Sequence, residues 1–372
     1  MARFLSNASA AALAVAATAL SCSDPSSPDP VAAPGVESSS LRVDPPRLRV
    51  QQSGTINRLQ AISPVDADVV WASGVGGTFV RTLDGGRNWE AGVVEGAELL
   101  QFRDVHGVSA TEAYLLAAGV GTDSRIYKTV DGGATWTLQF TNQHPKGFYD
   151  CFDFWTPERG LVMGDAVNGI IPVVQTRNGG DDWRRIGGRL PPAQLGEAAF
   201  AASGTCVATQ GSDRAWIATG AAEKARILAT TDGGKTWEAY LTPIVQGTPA
   251  SGLFTVAFRD ASHGILAGGD LEAPDALSDN VARSKDGGKT WQLVSGTPFP
   301  GAAYGLSYVP SRNDQYERTV VITGPGGAAW TANEGKRWHL IPEVRDYWAV
   351  AFADRHHGWL VGTEGRILKV VF

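Results

Sequence analysis

The chain has 372 residues, 43% of them hydrophobic, with 45 Gly, 12 Trp and only 2 Met, and a formal charge of −6 spread without basic runs. That hydrophobic share belongs to a folded chain, and abundant Gly with abundant Trp suits many short strands joined by tight turns. Nucleic acid is excluded as a partner, because phosphate binding needs clustered Lys and Arg.

Arg3 precedes an uncharged, Ala-rich stretch over residues 11–20 that runs into Ser21-Cys22. So short an apolar run cannot cross a hydrocarbon core of about 30 Å as a helix, and residues 1–21 read as a signal peptide. The segment resembles a bacterial lipoprotein signal, cut before a Cys that then carries the lipid, which makes Cys22 the candidate for lipidation. Ala19 stands where Leu is usual, and a secretory signal cut near Ala19 is the alternative. Residues 22–42 are mostly Ser, Pro, Asp and Ala, too poor in large apolar groups to offset the entropy of ordering, and predict a disordered tether. The expected location is therefore extracytoplasmic, periplasmic or at the cell surface, with a lipid anchor in a bacterial membrane.

From residue 43 the chain repeats. Ser/Thr-x-Asp/Asn-x-Gly-x-x-Trp occurs six times, beginning at Thr82, Thr129, Thr176, Thr230, Ser284 and Thr331 and ending at Trp89, Trp136, Trp183, Trp237, Trp291 and Trp338. The tryptophans stand 47, 47, 54, 54 and 47 residues apart. The acidic or amide position is Asp84, Asp131, Asn178, Asp232, Asp286 and Asn333. A short polar side chain there accepts backbone N–H bonds while Gly supplies positive φ, which is the chemistry of a hairpin turn. A metal role is disfavoured, since Asn is a poor ligand for a hard cation.

Each period places an apolar strand such as residues 254–258 or 348–352 before a polar turn, a second strand, a Gly-rich loop, a third strand and the motif, with a fourth strand starting at its Trp. Four antiparallel strands per period make a propeller blade. Six periods carry the motif, and a seventh starts at Tyr347 and stops at Phe372 after three strands. Residues 47–52 are the expected missing strand, closing the ring so that no sheet edge is left at the joint. The fold read from the sequence is all-β, a seven-bladed propeller over residues 43–372, of about 47 residues per blade.

The motif is similar to the bacterial neuraminidase (BNR) repeat, or Asp box, and residues 43–372 resemble the photosystem II stability and assembly factor family of propellers in its bacterial, non-photosynthetic branch. Gly160-Leu-Val-Met-Gly-Asp165, residues 196–204 and Gly264-Ile-Leu-Ala-Gly-Gly-Asp270 carry that resemblance. It implies a non-enzymatic scaffold that binds a protein or peptide, possessing no cofactor and acting as a monomer. The alternative is a glycan-binding or glycoside-hydrolase-like protein, because sialidases also carry Asp boxes. No Arg-Ile-Pro occurs, however, and seven blades is one more than the sialidases the repeat resembles.

Other candidate chemistry is weaker. Asp150 and Glu197 each precede an innermost strand and could serve as a glycosidase carboxylate pair, but solvated or hydrogen-bonded loop carboxylates are the simpler expectation. Gly324-Pro-Gly326 matches part of a dinucleotide fingerprint, yet a strand rather than a helix follows it. His356 and His357 fall in a turn, and no zinc spacing is present. Asp270, Glu272, Asp275 and Asp279 could hold calcium in a long loop whose Pro and Ala content suits solvation better. Cys151 and Cys206 are expected to be buried free thiols, with a disulfide as the alternative.

Strand topology puts the six motifs on one face of the disc. The opposite face, built by loops between blades and between second and third strands, carries Arg58, Arg103, Tyr149, Asp150, Asp165, Asn168, Glu197, Asp270, Tyr304, Tyr347 and Trp348. Mixed charge with aromatics around a channel suits a peptide, protein or glycan.

Overall fold

A computed structural model describes residues 43–186, 190–311 and 315–372. The signal peptide, Cys22 and the tether lie outside the described residues.

Seven antiparallel sheets, each of four strands, form seven blades. The first blade runs Leu59–Pro64, Val70–Gly74, Thr78–Thr82 and Glu90–Val93 from axis to rim. The inner strands of the following blades are Phe102–Gly107, Tyr149–Thr156, Val207–Gln210, Ser251–Phe258, Gly305–Tyr308 and Tyr347–Asp354. Each inner strand touches the next, and that of the seventh blade touches that of the first, so the ring is closed. Arg47–Gln52 is the outer strand of the seventh blade, paired with Arg366–Val371 from Arg47 opposite Val371 to Gln52 opposite Arg366.

Burial follows position in the blade. Second strands such as Val70–Gly74 and Ala113–Ala117 are buried on both faces, because neighbouring blades cover both, whereas the outer strand Glu90–Val93 is mostly exposed. The second strands therefore read as continuous apolar runs rather than alternating ones. Near their starts these strands carry the largest packing groups, Trp71, Tyr114, Trp216 and Trp359, all at most 1% exposed. A buried indole needs a partner for its N–H. Trp71 donates to Ser109 O at 2.9 Å and Trp216 to Gly287 O at 2.8 Å, each reaching a turn of the next blade. Tyr114 does the same through its hydroxyl to Gly179 O at 2.7 Å.

The repeated motif forms the turn between third and outer strands. In the fourth blade the Thr230 hydroxyl donates to Asp232 Oδ1 (2.8 Å) and accepts the Gly234 N–H (3.0 Å). Asp232 in turn accepts the Thr236 N–H at 3.0 Å and the Thr236 hydroxyl at 2.6 Å. Gly233 and Gly234 take φ of 72° and 84°, a backbone that a side chain would strain. Asn178 and Asn333 keep the same backbone bond, to the N–H of Asp182 at 3.0 Å and of Arg337 at 2.9 Å, as do Asp84, Asp131 and Asp286. Bonds from Asn88 and Thr135 hold the Asp84 and Asp131 carboxyls down at about 2.

Candidate functional site

The face opposite these turns opens into a mouth of about 290 Å³ on the propeller axis. It is built by a repeated irregularity. In five blades the inner strand slips register by one residue near its start, and the residue left unpaired is Gln60, Arg103, Asp150, Phe254 or Trp348. A bulge of this kind re-aims one side chain without disturbing the strands beyond it. Phe200 and Tyr304 occupy the corresponding places in the fourth and sixth blades, two residues past the backbone bridge at Ala198–Gly220 and one past the Ala303 N–H bond to Gly268 O. All seven line the mouth, one from each blade.

The ring has a polar half and an aromatic half. Blades one to three contribute Gln60, Arg103 and Asp150, with Arg58 and Asp165 beside them; blades four to seven contribute Phe200, Phe254, Tyr304 and Trp348. Phe200 stacks on Phe254 at 4.1 Å and 4° between planes, and Phe254 on Tyr304 at 5.5 Å and 7°. Trp348 meets Tyr304 edge-on at 5.5 Å and carries the Arg58 guanidinium 5.0 Å from its ring centre.

The polar half holds groups without internal partners. Asp150 is 1% exposed and Gln60 2%, yet among the described residues Asp150 Oδ2, Gln60 Oε1 and Arg58 Nε have no hydrogen-bond partner. Such groups cost desolvation energy unless something else meets them. Arg103 donates to Gln101 Oε1 at 2.9 Å and to Ala201 O at 3.3 Å. Burial, and then the neighbouring Arg58 charge, lowers the Arg103 pKa. Burial raises Asp150 well above the carboxylate range, with the adjacent Asp165 adding repulsion, and burial lifts Asp165 to about 6. Burial and mutual repulsion thus both favour the neutral form of this carboxyl pair.

A segment of the fourth blade floors the mouth. From Phe200 to Val207 the chain takes seven steps where Gln60 to Ile62 takes two in the first blade, and the extra residues cross the channel. Ala201 O meets Arg103 of the second blade, and the Ser203 hydroxyl donates to Tyr304 O of the sixth at 2.7 Å. The Thr205 hydroxyl donates to Thr255 of the fifth at 2.7 Å, and Val256 donates its N–H to Thr205 O at 3.0 Å. Gly204, at φ 75°, lies so close to Asp104 that a Cβ would collide with that carboxylate. The segment ends in a disulfide, Cys206 to Cys151 on the inner strand of the third blade, with Cα atoms 5.8 Å apart. This corrects the expectation of free thiols. Two lone cysteines 55 residues apart give no pairing signal in sequence, and it is the channel crossing that brings them together.

Of the eleven residues singled out on this face, Arg58, Arg103, Asp150, Asp165, Tyr304 and Trp348 converge on the mouth. Tyr149 and Tyr347 do not. Each precedes a bulge residue and so turns between blades, Tyr149 against Phe140 at 5.4 Å and Tyr347 beneath Arg366 at 5.4 Å. Asn168 is exposed at a loop tip with φ 54°. Asp270 accepts the Glu272 N–H at 2.9 Å at the end of its strand. Glu197 is 1% exposed and fully used, its two oxygens held by Arg226 at 2.7 and 2.6 Å, by the Thr219 hydroxyl at 2.7 Å and by the Gln194 N–H at 2.8 Å. It has no oxygen free to act across a substrate with Asp150. His357 and His263 are bound to Asp354 and Asp260 of their own turns, both at 2.9 Å. Among the described residues no group of three metal-ligating side chains converges, in the 270–279 loop or elsewhere. Gln60, Phe200 and Phe254 are mouth residues that residue type alone did not suggest. Gln60, like Trp348, is one step past the first residue of its inner strand, whereas Phe254 is the fourth residue of Ser251–Phe258 and Phe200 lies ahead of Val207–Gln210, so no fixed offset marks all three.

No family model matches the chain, and no curated protein matches it. Solved structures do. A structure of YCF48 bound to a D1 peptide superposes with a TM-score of 0.62 at 16% identity, over 89% of this chain and 98% of that one. YCF48 from Cyanidioschyzon merolae gives 0.60 at 17%, over 87% and 98%. The GH74 xyloglucanase from Xanthomonas campestris gives 0.56 at 14%, over 87% of this chain but 53% of the enzyme, so this chain spans about half of it. At these identities the likeness is one of fold.

Proposed function

We propose that this propeller is a non-catalytic scaffold that binds a segment of a protein or peptide over its mouth. The observation that carries the reading is the ring itself: one re-aimed side chain per blade, half polar and half aromatic, enclosing Asp150 Oδ2, Gln60 Oε1 and Arg58 Nε without partners. A polypeptide offers both N–H donors and carbonyl acceptors to such groups, and apolar side chains to the aromatic arc. The photosystem II assembly factor resemblance of the sequence agrees, as does the neighbour described as YCF48 bound to a D1 peptide.

A glycan-active protein is the second reading, supported by the Asp150 and Asp165 carboxyls and by the GH74 neighbours. The engaged carboxylates favour the first, because Glu197 has no free oxygen and Asp165 lies beside Asp150 rather than across the mouth from it. We also propose that the chain is exported, and that its repeats are Asp boxes of the BNR type. The Cys151–Cys206 bond supports export, since disulfides persist in oxidising compartments.

Panning a random peptide library on the purified protein tests the leading reading. Binders are expected, and the paired substitution of Arg103→Ala and Trp348→Ala should remove them. Turnover of aryl glycosides that Asp150→Asn abolishes would replace the scaffold reading with the enzymatic one.

A further inference from the structure

The loops around the mouth carry an unusual combination of side chains. Their most exposed large apolar groups are Leu195 at 98%, Leu99 at 97% and Ile56 at 86%, with Leu277, Val120 and Ile170 also more than half exposed. Among the described residues on the turns of the opposite face, Leu83 and Val130 alone are comparable. None of the six lines the mouth itself and each stands on a separate loop, but all belong to loops on its side of the disc, and apolar side chains so exposed on one face suit an interaction surface.

The same loops are acidic. Among their described residues ten exposed carboxylates, Glu98, Asp123, Glu272, Asp275 and Glu343 among them, stand against three exposed cations, Lys146, Lys224 and Arg345. Interfaces match potential to potential, and like charges brought together are costly. An anionic bilayer is repelled by such a rim, whereas a basic segment is drawn to it.

Building on the reading of the mouth as a polypeptide site, we infer that the bound segment is cationic and carries large apolar side chains. Its Lys or Arg residues face the acidic rim while its apolar residues cover Leu99, Leu195 and Ile56 and reach the aromatic arc. The arginines of the mouth, one level deeper, take the carbonyl oxygens of the inserted residue.

Three probes test this: a soluble labelled peptide of Lys, Leu and Gly, its counterpart with Glu for Lys, and phosphatidylglycerol vesicles. The Lys peptide should bind. The pair Glu98→Lys and Asp275→Lys, and the pair Leu99→Ser and Leu195→Ser, should each weaken it by roughly tenfold or more. The control pair Leu83→Ser and Val130→Ser, on the opposite face, should leave it unchanged. Preference for the Glu peptide, binding to the vesicles, or an equal loss in the control pair overturns the inference. If the Glu peptide binds and Arg103→Ala with Trp348→Ala abolishes that binding, the polypeptide site stands and only its assigned charge falls. If neither peptide binds the folded protein, the polypeptide reading falls as well.

Discussion

The side-chain amide oxygen of Gln51 accepts the indole N–H of Trp359, 308 residues away in sequence, at 3.1 Å. The same oxygen accepts the indole of Trp89 at 3.1 Å, and Gln51 Nε2 donates to Gly85 O at 3.3 Å. One residue of the N-terminal strand thus ties the last blade to the first.

Gln51→Leu should therefore cost about 1–3 kcal/mol, because it strands two indole donors, one of them fully buried. Deleting residues 43–52 should do far more. It exposes the edge of Arg366–Val371 along its whole length, and the product should aggregate or melt well below the intact chain. Thermal melting of both variants checks this. Intact melting after the deletion would mean that the ring does not depend on the strand that closes it.

Much of this architecture was legible in the sequence, and the reasons are particular. Six motifs with a fixed polar and Gly pattern locate the turns, and a seventh period three strands short points to residues 47–52 as its partner. The mouth was only half legible. Charged and aromatic residues at loop ends drew attention to Arg103 and Trp348, but Gln60, Phe200 and Phe254 occupy the same register with side chains that look like ordinary strand residues. A one-residue bulge shifts which side chain faces the axis, so alternation alone exchanges Tyr347 with Trp348 and Tyr149 with Asp150. The spacing of 54 between Trp183 and Trp237, against the usual 47, was the trace of the channel crossing. A longer spacing gives the length of an insertion but not where it goes.

Two sets of carboxyls make stability depend on pH with opposite signs. Asp84 and Asp131 sit at about 2 in the fold, below the ordinary 3.8, so what they contribute is present above 3.8 and lost as pH falls through 2. Burial lifts Asp165 and Asp153 to about 6 in the fold. Their contribution is full below 3.8 and is lost as pH rises through 6. Stability should peak between about pH 4 and 6. Asp165→Asn, which can still accept the Ala199 N–H, should gain about 1–2 kcal/mol at pH 8 and nothing at pH 4. Melting curves across that range check it, and an equal gain at both ends would remove the carboxyl charge as the cause.

The turn motif is predicted to act on folding and not on binding. Thr230 is 2% exposed, and its hydroxyl is the acceptor of the buried Gly234 N–H. Thr230→Val keeps the shape, removes that acceptor and should cost about 1–3 kcal/mol. Since the turn lies on the face opposite the mouth, affinity for a mouth ligand measured below the melting range should not change. A loss of affinity in the folded variant would show the two faces to be coupled.

The Cys151–Cys206 bond closes a loop of 55 residues and should contribute about 2–4 kcal/mol, chiefly by restricting the unfolded chain. Its second effect is local. Cys206 ends the segment that floors the mouth, and that segment is held elsewhere by hydrogen bonds from Arg103 and Val256 and from its own Ser203 and Thr205 hydroxyls. The pair Cys151→Ala and Cys206→Ala should therefore lower the melting temperature and, in the still-folded protein, speed hydrogen exchange at residues 201–206 more than in the second strands. Those strands are buried between neighbouring blades and open only with the domain. The comparison separates the two effects. A uniform rise in exchange would assign the bond to global stability alone, whereas a rise confined to residues 201–206 would show that it fixes the floor against which a mouth ligand packs.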